Sequence, residues 1–262
     1  MRGRVLIVAG SDSGGGAGIQ ADIKTVTAFG GFAMTAITAL TAQNSLGVHA
    51  VLPVPPDFLR LQIECVLDDL GVDAFKTGML GSAALIEIAA DCISRHPGIP
   101  LVLDPVMVAK GGHRLLADDA VGSLRRTLVP LAALLTPNLP EAEALSGTII
   151  ESLDDMRRAA DALLTLGVPA VLLKGGHLPG PLVTDMLATA YGCESFTAPR
   201  IDTRHTHGTG CTLASAVATG LAQGLGLRDA VRLAREYVRR AIEAAPGYGA
   251  GAGPLNHAVP TG

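Results

Sequence analysis

Short apolar runs and longer amphipathic segments alternate along most of the chain. Residues 5–9 form an unbroken apolar run, a pattern typical of a strand buried on both faces. A glycine-rich turn at 10–18 follows, and helical periodicity then extends from about residue 19 to 29. Because this succession of strand, turn and helix recurs, the pattern predicts an α/β protein whose buried strands are parallel and whose helices cover the sheet.

The same periodicities predict the remaining elements. Further strands are expected at 32–41, 48–54, 73–78, 100–104, 132–135 and 169–173. Further helices are expected at 57–70, 83–95, 118–129, 154–166, 210–224 and 229–244. Three short β segments at 184–187, 194–196 and 199–201 predict a small antiparallel edge, and 247–262 is expected to lack regular structure. Since neither a repeat nor a linker interrupts this order, we expect one domain over residues 1–262.

Polar or glycine-rich residues stand where the predicted strands end. They are Gly10, Gln43, Met79, Asp104, Asn138 with Glu141, and Lys174. Open α/β sheets bind ligands at the carboxyl ends of their strands, so we expect these residues to gather in one site. Each also has an ordinary structural interpretation: Asp104 as a turn former, Glu141 as a partner of a helix dipole and Lys174 as a solvated loop charge.

The stretch 203–213 predicts an anion-binding turn that opens a helix. Gly208 and Gly210 allow positive φ and a close approach to a ligand, and Thr209 and Thr212 supply hydroxyls near the first turn. The helix N-terminus would attract phosphate. It would also lower the pKa of Cys211, which makes this thiol a candidate base or nucleophile. The alternative is an ordinary glycine-rich helix start with a small buried cysteine.

Composition narrows the classes of function. The chain has 262 residues, a formal net charge of −4, 3% aromatic residues and no Trp, which argues against a nucleic-acid-binding surface. The four cysteines lack the spacing of a zinc site. The first apolar run is too short for the core of a signal peptide, so we expect a cytoplasmic protein with free thiols. No stretch reaches the ~18 apolar residues of a membrane span.

The glycine-rich segments match neither of two common nucleotide-binding patterns. No Lys-Ser/Thr follows the glycines at 10–18, which excludes a P-loop, and the spacing G-x-G-x-x-G is absent. Together, however, the strand-end residues supply the parts that phosphoryl transfer needs: a phosphate-binding turn, a cation, oxygen ligands for Mg²⁺ and a base. The loop 106–115, which contains Lys110 and His113, could act as a lid.

Seven motifs, in order and over nearly the whole chain, resemble the hydroxymethylpyrimidine/phosphomethylpyrimidine kinases of thiamine biosynthesis. They are AGSDSGGGAGIQADIKT (9–25), TAQN (41–44), KTGM (76–79), LDPVM (103–107), TPNLPEA (136–142), LKGGH (173–177) and THGTGCT (206–212). The resemblance implies a ribokinase-like three-layer αβα sandwich with a mostly parallel central sheet. It also implies ATP as co-substrate, Mg²⁺, a small pyrimidine substrate and a homodimer.

The resemblance further implies a role for each matching residue. The pyrimidine is expected near Gly10, Asp22, Gln43, Met79 and Val106. ATP and its phosphates are expected at Lys110, Lys174, His207 and Thr209, and the metal at Asp104, Asn138 and Glu141. Cys211 is expected to be catalytic, together with Gly208 and Gly210. It occupies the position where most ribokinase-like enzymes carry an Asp base.

Three other functions remain as alternatives. A pyridoxal kinase of the same fold is the first, but the related enzymes with that activity carry a second Cys in the lid, and residues 109–112 contain none. A dinucleotide-dependent oxidoreductase would use the turn at 14–18, yet its fingerprint is missing. A non-catalytic sensor of a vitamin precursor would not need Lys174, Asp104, Glu141 and Cys211 together.

Overall fold

The computed structural model describes residues 2–108, 115–116 and 118–261. The strands are Arg4–Asp12 (β1), Phe32–Asn44 (β2), Gly47–Pro53 (β3), Ala74–Thr77 (β4), Leu101–Leu103 (β5), Leu134–Leu135 (β6), Ala170–Leu173 (β7), Leu182–Thr189 (β8) and Gly192–Pro199 (β9). The helices are Gly18–Ala28 (α1), Pro56–Asp69 (α2), Ala83–Ser94 (α3), Asp118–Thr127 (α4), Leu139–Ser146 (α5), Leu153–Leu164 (α6), Thr209–Ala222 (α7) and Leu227–Glu243 (α8). The predicted lid residues 109–114, with Lys110, lie outside the described part of the chain.

One sheet unites the nine described strands in the order β3-β2-β1-β4-β5-β6-β7-β8-β9. Pairing is parallel from β2 through β1, β4, β5 and β6 to β7. It is antiparallel where β3 joins β2 and where β8 and β9 complete the other edge. The prediction of a mostly parallel sheet is confirmed, and the parallel pairing brings the carboxyl ends of six strands to one side.

Both faces of the sheet are covered, which gives the three-layer αβα sandwich. Alternate residues of β1 belong to different apolar cores: Leu6 and Val8 pack with α2 to α6, whereas Val5, Ile7 and Ala9 pack with α1, α7 and α8. The first apolar run is therefore continuous because both of its faces are buried. Within the described residues no helix is long and apolar enough to cross a membrane, and the four cysteines are all free.

The antiparallel edge differs from the prediction of three short segments. It is one hairpin of two eight-residue strands, β8 and β9, joined at Ala190 and Tyr191. The segment 199–201 adds no third strand. Instead, the Arg200 backbone N–H donates to Pro181 O, and its guanidinium donates to the carbonyl oxygens of Gly176 and Gly180. Arg200 thus ties the end of the hairpin to the loop after β7.

Candidate active site

A cavity of about 1240 Å³ opens at the carboxyl ends of the parallel strands. Lys110 lies outside the described residues, and of the other residues expected in the site all except Asp22 line this cavity. The lining residues among them are Gly10, Gln43, Met79, Val106, Asp104, Asn138, Glu141, Lys174, His207, Gly208, Thr209, Gly210 and Cys211. Hence residues from distant parts of the sequence meet in one place, as the topology requires.

Gly208 and Gly210 serve different purposes at the start of α7. Gly208 is the N-cap with φ of 86°, and a Cβ built there would lie 1.8 Å from Gly16 O. Gly210 lies inside the helix and does not have positive φ, so that prediction is wrong. A Cβ on Gly210 would lie 3.1 Å from Lys174 Nζ. Glycine at this position therefore lets the helix approach the lysine.

The hydroxyls of Thr209 and Thr212, which were expected near the first turn of α7, are both bound to protein groups. Thr209 Oγ1 donates to Thr206 O at 2.7 Å, and Thr212 Oγ1 lies 2.9 Å from His257 Nε2 on the buried side of α7. None of the described side chains caps the helix. The N-terminus of α7 consequently faces the cavity with backbone N–H groups, and the hydroxyl of Thr212 belongs to the core.

Lys174 and Asp104 form an ion pair at the ends of β7 and β5. Lys174 Nζ donates to Asp104 Oδ1 at 2.9 Å, and Thr136 Oγ1 donates to the same oxygen at 3.1 Å. Burial lowers the pKa of Lys174, but Asp104 and Glu141 raise it more, so the net pKa lies above its ordinary value. The interpretation of Lys174 as a solvated loop charge is wrong, since its side chain is only 15% exposed.

Asn138 and Glu141 form a reciprocal cap at the start of α5. Asn138 Oδ1 accepts from the backbone N–H of Glu141 at 3.0 Å, and Glu141 Oε2 accepts from that of Asn138 at 2.8 Å. Burial and the charge of Asp104 raise the pKa of Glu141 to about 7, against the opposing charge of Lys174. Both residues therefore stabilise the helix end as well as line the cavity.

The expectation of a lowered pKa for Cys211 is wrong. Burial raises the pKa of this thiol to about 12. The charge of Lys76 and the backbone N–H of Gly18 oppose the rise, whereas Asp22 and Asp104 add to it. Desolvation of the thiolate thus outweighs the favourable position at the helix N-terminus. In the free protein at neutral pH, Cys211 is a thiol.

Asp12 organises the glycine-rich turn, a role that the sequence interpretation missed. Its carboxylate accepts from the backbone N–H groups of Gly14, Gly16 and Ala17 at 2.8, 3.1 and 2.8 Å. It also lies 2.8 Å from His207 Nε2. Burial raises the pKa of Asp12, but these hydrogen bonds outweigh it and hold the pKa below its ordinary value. An acidic residue within a run of glycines is the signal that could have revealed this role.

His207, which was expected at the phosphates, makes its side-chain contacts with Asp12 and Gln43. Its Nε2 contacts Asp12 and lies 3.3 Å from Gln43 Nε2. These contacts place His207 on the proposed pyrimidine side of the cavity. Nearby, Met79 packs so closely on Gly10 that a Cβ at position 10 would lie 2.3 Å from Met79 Cε. That contact accounts for the glycine at position 10.

Asp22 lies beneath the cavity and does not line it, contrary to the prediction that it contacts the pyrimidine. Both of its oxygens accept from Lys76 Nζ at 2.9 Å, and Ser215 Oγ donates to it at 2.6 Å. Both side chains of the ion pair are 0% exposed. Burial lowers the pKa of Lys76, but the charge and hydrogen bond of Asp22, together with the charges of Cys211 and Asp104, raise it more, so Lys76 is an ammonium. A lysine within the buried strand β4 could have indicated, from the sequence, that a buried carboxylate such as Asp22 is its partner.

Phosphoryl transfer depends on positioning and on stabilising the charge of the phosphates. The cavity brings a lysine, carboxylates and a helix N-terminus together for that purpose, on an αβα sandwich with a mostly parallel sheet. This combination defines a kinase of the ribokinase-like fold. Within that class, the chain belongs to the phosphomethylpyrimidine kinase family, whose sequence model matches residues 12–256.

Similar proteins agree with this assignment. The chain is 49% identical over 255 residues to a hydroxymethylpyrimidine/phosphomethylpyrimidine kinase of Bacillus subtilis, covering 97% of this chain and 94% of the relative. It is 51% identical over 253 residues to one of Streptomyces coelicolor, covering 97% and 93%. An ADP complex of Bacillus subtilis pyridoxal kinase superposes with a TM-score of 0.91 at 39% identity, covering 98% of both chains. A phosphomethylpyrimidine kinase from Clostridium difficile gives 0.82 at 41% identity, covering 91% and 99%.

Proposed function

We propose that this kinase phosphorylates 4-amino-5-hydroxymethyl-2-methylpyrimidine with ATP, and then phosphorylates the monophosphate to the diphosphate, in thiamine biosynthesis. Relatives over nearly the full length carry the name of that activity. The observation that carries the proposal is that Cys211 and Lys174 line the same cavity as Gln43 and Met79. One cavity thus joins a section suited to a small ring with a section suited to phosphates.

The lining divides the cavity into sections for the two substrates. We assign the pyrimidine to the section with Gly10, Gln43, Met79 and Val106, as the family resemblance implies. The phosphates lie at Lys174 and at the N-terminus of α7, where Thr209 to Cys211 begin the helix. Beyond Lys174 the lining includes the apolar side chains of Val183, Ile201, Val238 and Ile242. These fit the base of ATP.

In the reaction, the substrate hydroxyl oxygen forms a bond to the γ-phosphorus while the bond from that phosphorus to ADP breaks. Cys211 first loses its thiol proton to solvent, and the resulting thiolate then accepts the proton of the substrate hydroxyl. Lys76 favours that thiolate because its charge lowers the pKa of Cys211. Since the transition state of phosphoryl transfer is loose, the hydroxyl proton can leave late. Lys174 stabilises the phosphate charge throughout the transfer.

The carboxylates fit Mg²⁺ held mainly by phosphates and water. Among the described residues no three His, Cys, Asp or Glu side chains are placed so that they could hold a metal ion together, so these residues alone form no metal cage. Mg²⁺ in kinases needs only one or two carboxylates in addition to the phosphates. Asp104 and Glu141 are close enough for Asp104 to raise the pKa of Glu141. A bound cation would reduce the repulsion between these two carboxylates. Bound Mg²⁺ would neutralise charge on the transferred phosphoryl group.

We also propose a single domain that forms a homodimer in the cytoplasm. Large apolar side chains are exposed on β2, β3 and α2, where Leu40, Leu52 and Phe58 are 46%, 65% and 54% exposed. Exposed apolar surface of this kind marks interaction sites. The four free cysteines suit a reducing compartment. Light scattering during gel filtration tests the dimer, and cell fractionation tests the location.

A pyridoxal kinase is the second candidate, because the structure of a pyridoxal kinase superposes with the TM-score of 0.91 given above. One assay separates the candidates: ATP consumption with the hydroxymethylpyrimidine, its monophosphate or pyridoxal, with NAD as a binding control. We expect the highest kcat/KM with the two pyrimidines. A higher kcat/KM with pyridoxal would replace the proposal, and no turnover with any acceptor would favour a sensor.

A further inference from the structure

The side chain of Gln43 lies between two polar partners at the wall of the cavity. Its backbone is fixed by Ser13 Oγ, which accepts from Gln43 N at 2.8 Å and donates to Gln43 O at 2.9 Å. One end of its terminal amide lies 3.3 Å from His207 Nε2, and the other end lies 3.2 Å from Thr41 Oγ1. Nitrogen and oxygen of an amide have nearly the same size, so the hydrogen-bond network decides which end is which.

At the first end, Asp12 determines what His207 can offer. An ionised carboxylate only accepts hydrogen bonds, and Asp12 already accepts three backbone N–H groups. Because Asp12 Oδ2 lies 2.8 Å from His207 Nε2, that nitrogen must carry a proton. That single hydrogen is directed at Asp12, so the amide end of Gln43 at 3.3 Å can only share it in a three-centre contact, which an oxygen can do and an N–H cannot. The oxygen of Gln43 therefore belongs at the His207 end.

At the end of the amide that faces Thr41, a backbone carbonyl oxygen determines whether Gln43 must donate or accept. Thr41 Oγ1 has one hydrogen, and it lies 2.9 Å from Ser11 O, which can only accept. Since that hydrogen is used, the Gln43 atom facing Thr41 Oγ1 must be a donor. The nitrogen of Gln43 therefore belongs at the Thr41 end. The Thr41 contact thus requires this orientation, and the His207 contact independently favours it.

In the opposite orientation an N–H of the Gln43 amide would face the N–H of His207. The Gln43 oxygen and Ser11 O would then compete for the single hydroxyl hydrogen of Thr41. Rotating the amide by half a turn gives a hydrogen bond from the Gln43 N–H to Thr41 Oγ1, and it lets the Gln43 oxygen share the His207 hydrogen with Asp12. In this orientation Gln43 keeps one acceptor lone pair beside His207 and one N–H beside Thr41 for a ligand in the cavity. The order of acceptor and donor along the amide is consequently fixed before the ligand arrives.

We propose that Asp12, His207 and Thr41 are positioning residues that lock the Gln43 amide, so that the site selects an aminopyrimidine over the corresponding oxopyrimidine. This proposal rests on the proposed function. An aminopyrimidine presents an N–H donor beside a ring-nitrogen acceptor, which matches the fixed amide. An oxopyrimidine presents a carbonyl acceptor beside a ring N–H, the reverse order. Turning that ring over would restore the match but would move its hydroxymethyl group away from Cys211.

The test compares kcat/KM for the 4-amino substrate and for its 4-oxo counterpart. Accepting the oxo ring in its productive pose requires Gln43 to rotate and to lose both hydrogen bonds, so we expect wild type to prefer the amino ring by about 10- to 100-fold. His207→Phe and Thr41→Val each remove one partner and should each reduce this preference by about 3- to 10-fold. His207→Gln, which supplies amide N–H donors, should retain more of the preference than His207→Phe.

Thr197→Val is the matched control for Thr41→Val, because Thr197 Oγ1 bonds Thr184 Oγ1 on the exposed hairpin. It should leave the preference unchanged. A purely structural role of His207 and Thr41 would lower kcat/KM equally for both rings, and an unchanged preference in both variants would overturn the lock.

Calorimetric binding of both pyrimidines without ATP, together with ¹⁵N NMR of the His207 ring, tests the lock without turnover. A proton on Nε2 and tighter binding of the amino ring support the lock even if phosphorylation fails. A proton on Nδ1 alone would overturn it.

Discussion

Replacing Lys76 with Met should strongly destabilise the protein by leaving Asp22 buried without its cation. Lys76 Nζ lies 2.9 Å from both Asp22 oxygens, and both side chains are 0% exposed. Removing one partner of such a pair costs about 3–5 kcal/mol, compared with a total stability of about 5–15 kcal/mol. Met preserves the length of the side chain, so a cavity adds little. At about 2–4 °C per kcal/mol, the Tm should fall by roughly 6–20 °C.

The cost in Lys76→Met should also depend on pH. Without Lys76, the pKa of the buried Asp22 lies above that of the unfolded chain, so the folded state binds the extra proton. Stability should then decrease as pH rises, by up to about 1.4 kcal/mol per pH unit. Urea unfolding at about pH 5 and about pH 8 measures the slope. The control is the wild type, in which Lys76 remains charged, and its change in stability between the two pH values is compared with that of the variant.

The double variant Lys76→Met/Asp22→Asn separates stability from catalysis. It removes both charges and keeps an oxygen to accept from Ser215. Stability should return to within about 1–2 kcal/mol of wild type. The kcat should stay low, because losing Lys76, whose charge lowers the pKa of Cys211, outweighs losing the smaller opposing effect of Asp22. A loss below about 1 kcal/mol in Lys76→Met, or no recovery in the double variant, would refute this reasoning.

Three further predictions concern separate groups. Lys174→Ala should raise the KM for ATP and lower kcat together, whereas Asp104→Asn should mainly shift the Mg²⁺ dependence; identical responses in ATP and Mg²⁺ titrations would contradict these roles. Cys211→Ala should lower kcat by about 10²–10⁴ with little change in the KM for ATP. In the wild type, the rate of alkylation of Cys211 should increase as pH rises above neutral, because the pKa of this thiol is about 12. An alkylation rate that does not change with pH would contradict that pKa. Burial, with the charge of Lys24, lowers the pKa of His257 to about 4, so on acidification this histidine takes up a proton in the unfolded chain before it does so in the folded protein. The free energy of unfolding should therefore fall by up to about 3 kcal/mol between about pH 6.5 and pH 4. Urea unfolding of His257→Gln over the same pH range should lack this decrease.

The order of elements and the location of the site could be predicted from the sequence because both follow from local patterns. A continuous apolar run such as 5–9 indicates a strand buried on both faces, and parallel strands bring their ends together without further information. Asp104 and Lys174 were therefore expected in one cavity although they are far apart in the chain. The seven motifs then identified the family that the sequence comparisons confirm.

The pairing of individual side chains could not be predicted in the same way. Whether His207 meets phosphate or Asp12 depends on how two loops pack, and no local pattern contains that information. The direction of the shift in the Cys211 pKa depends on burial and the charge of Asp22, which raise it, against the charge of Lys76, which lowers it, and this balance is decided only in three dimensions. Likewise, the sequence does not show that Asp22 lies beneath the cavity and not in its lining, because this depends on the ion pair with Lys76.

The contact between Gly208 and Gly16 has a consequence for recombination between related genes. A Cβ at Gly208 would collide with Gly16 O, so the turn before α1 and the turn before α7 fit together backbone against backbone. A chimera with a crossover anywhere between these turns inherits them from different parents. Such a chimera should work only when both parents have the same backbone path at both turns. The first and last quarters of the gene should therefore be inherited together, while the middle can be exchanged.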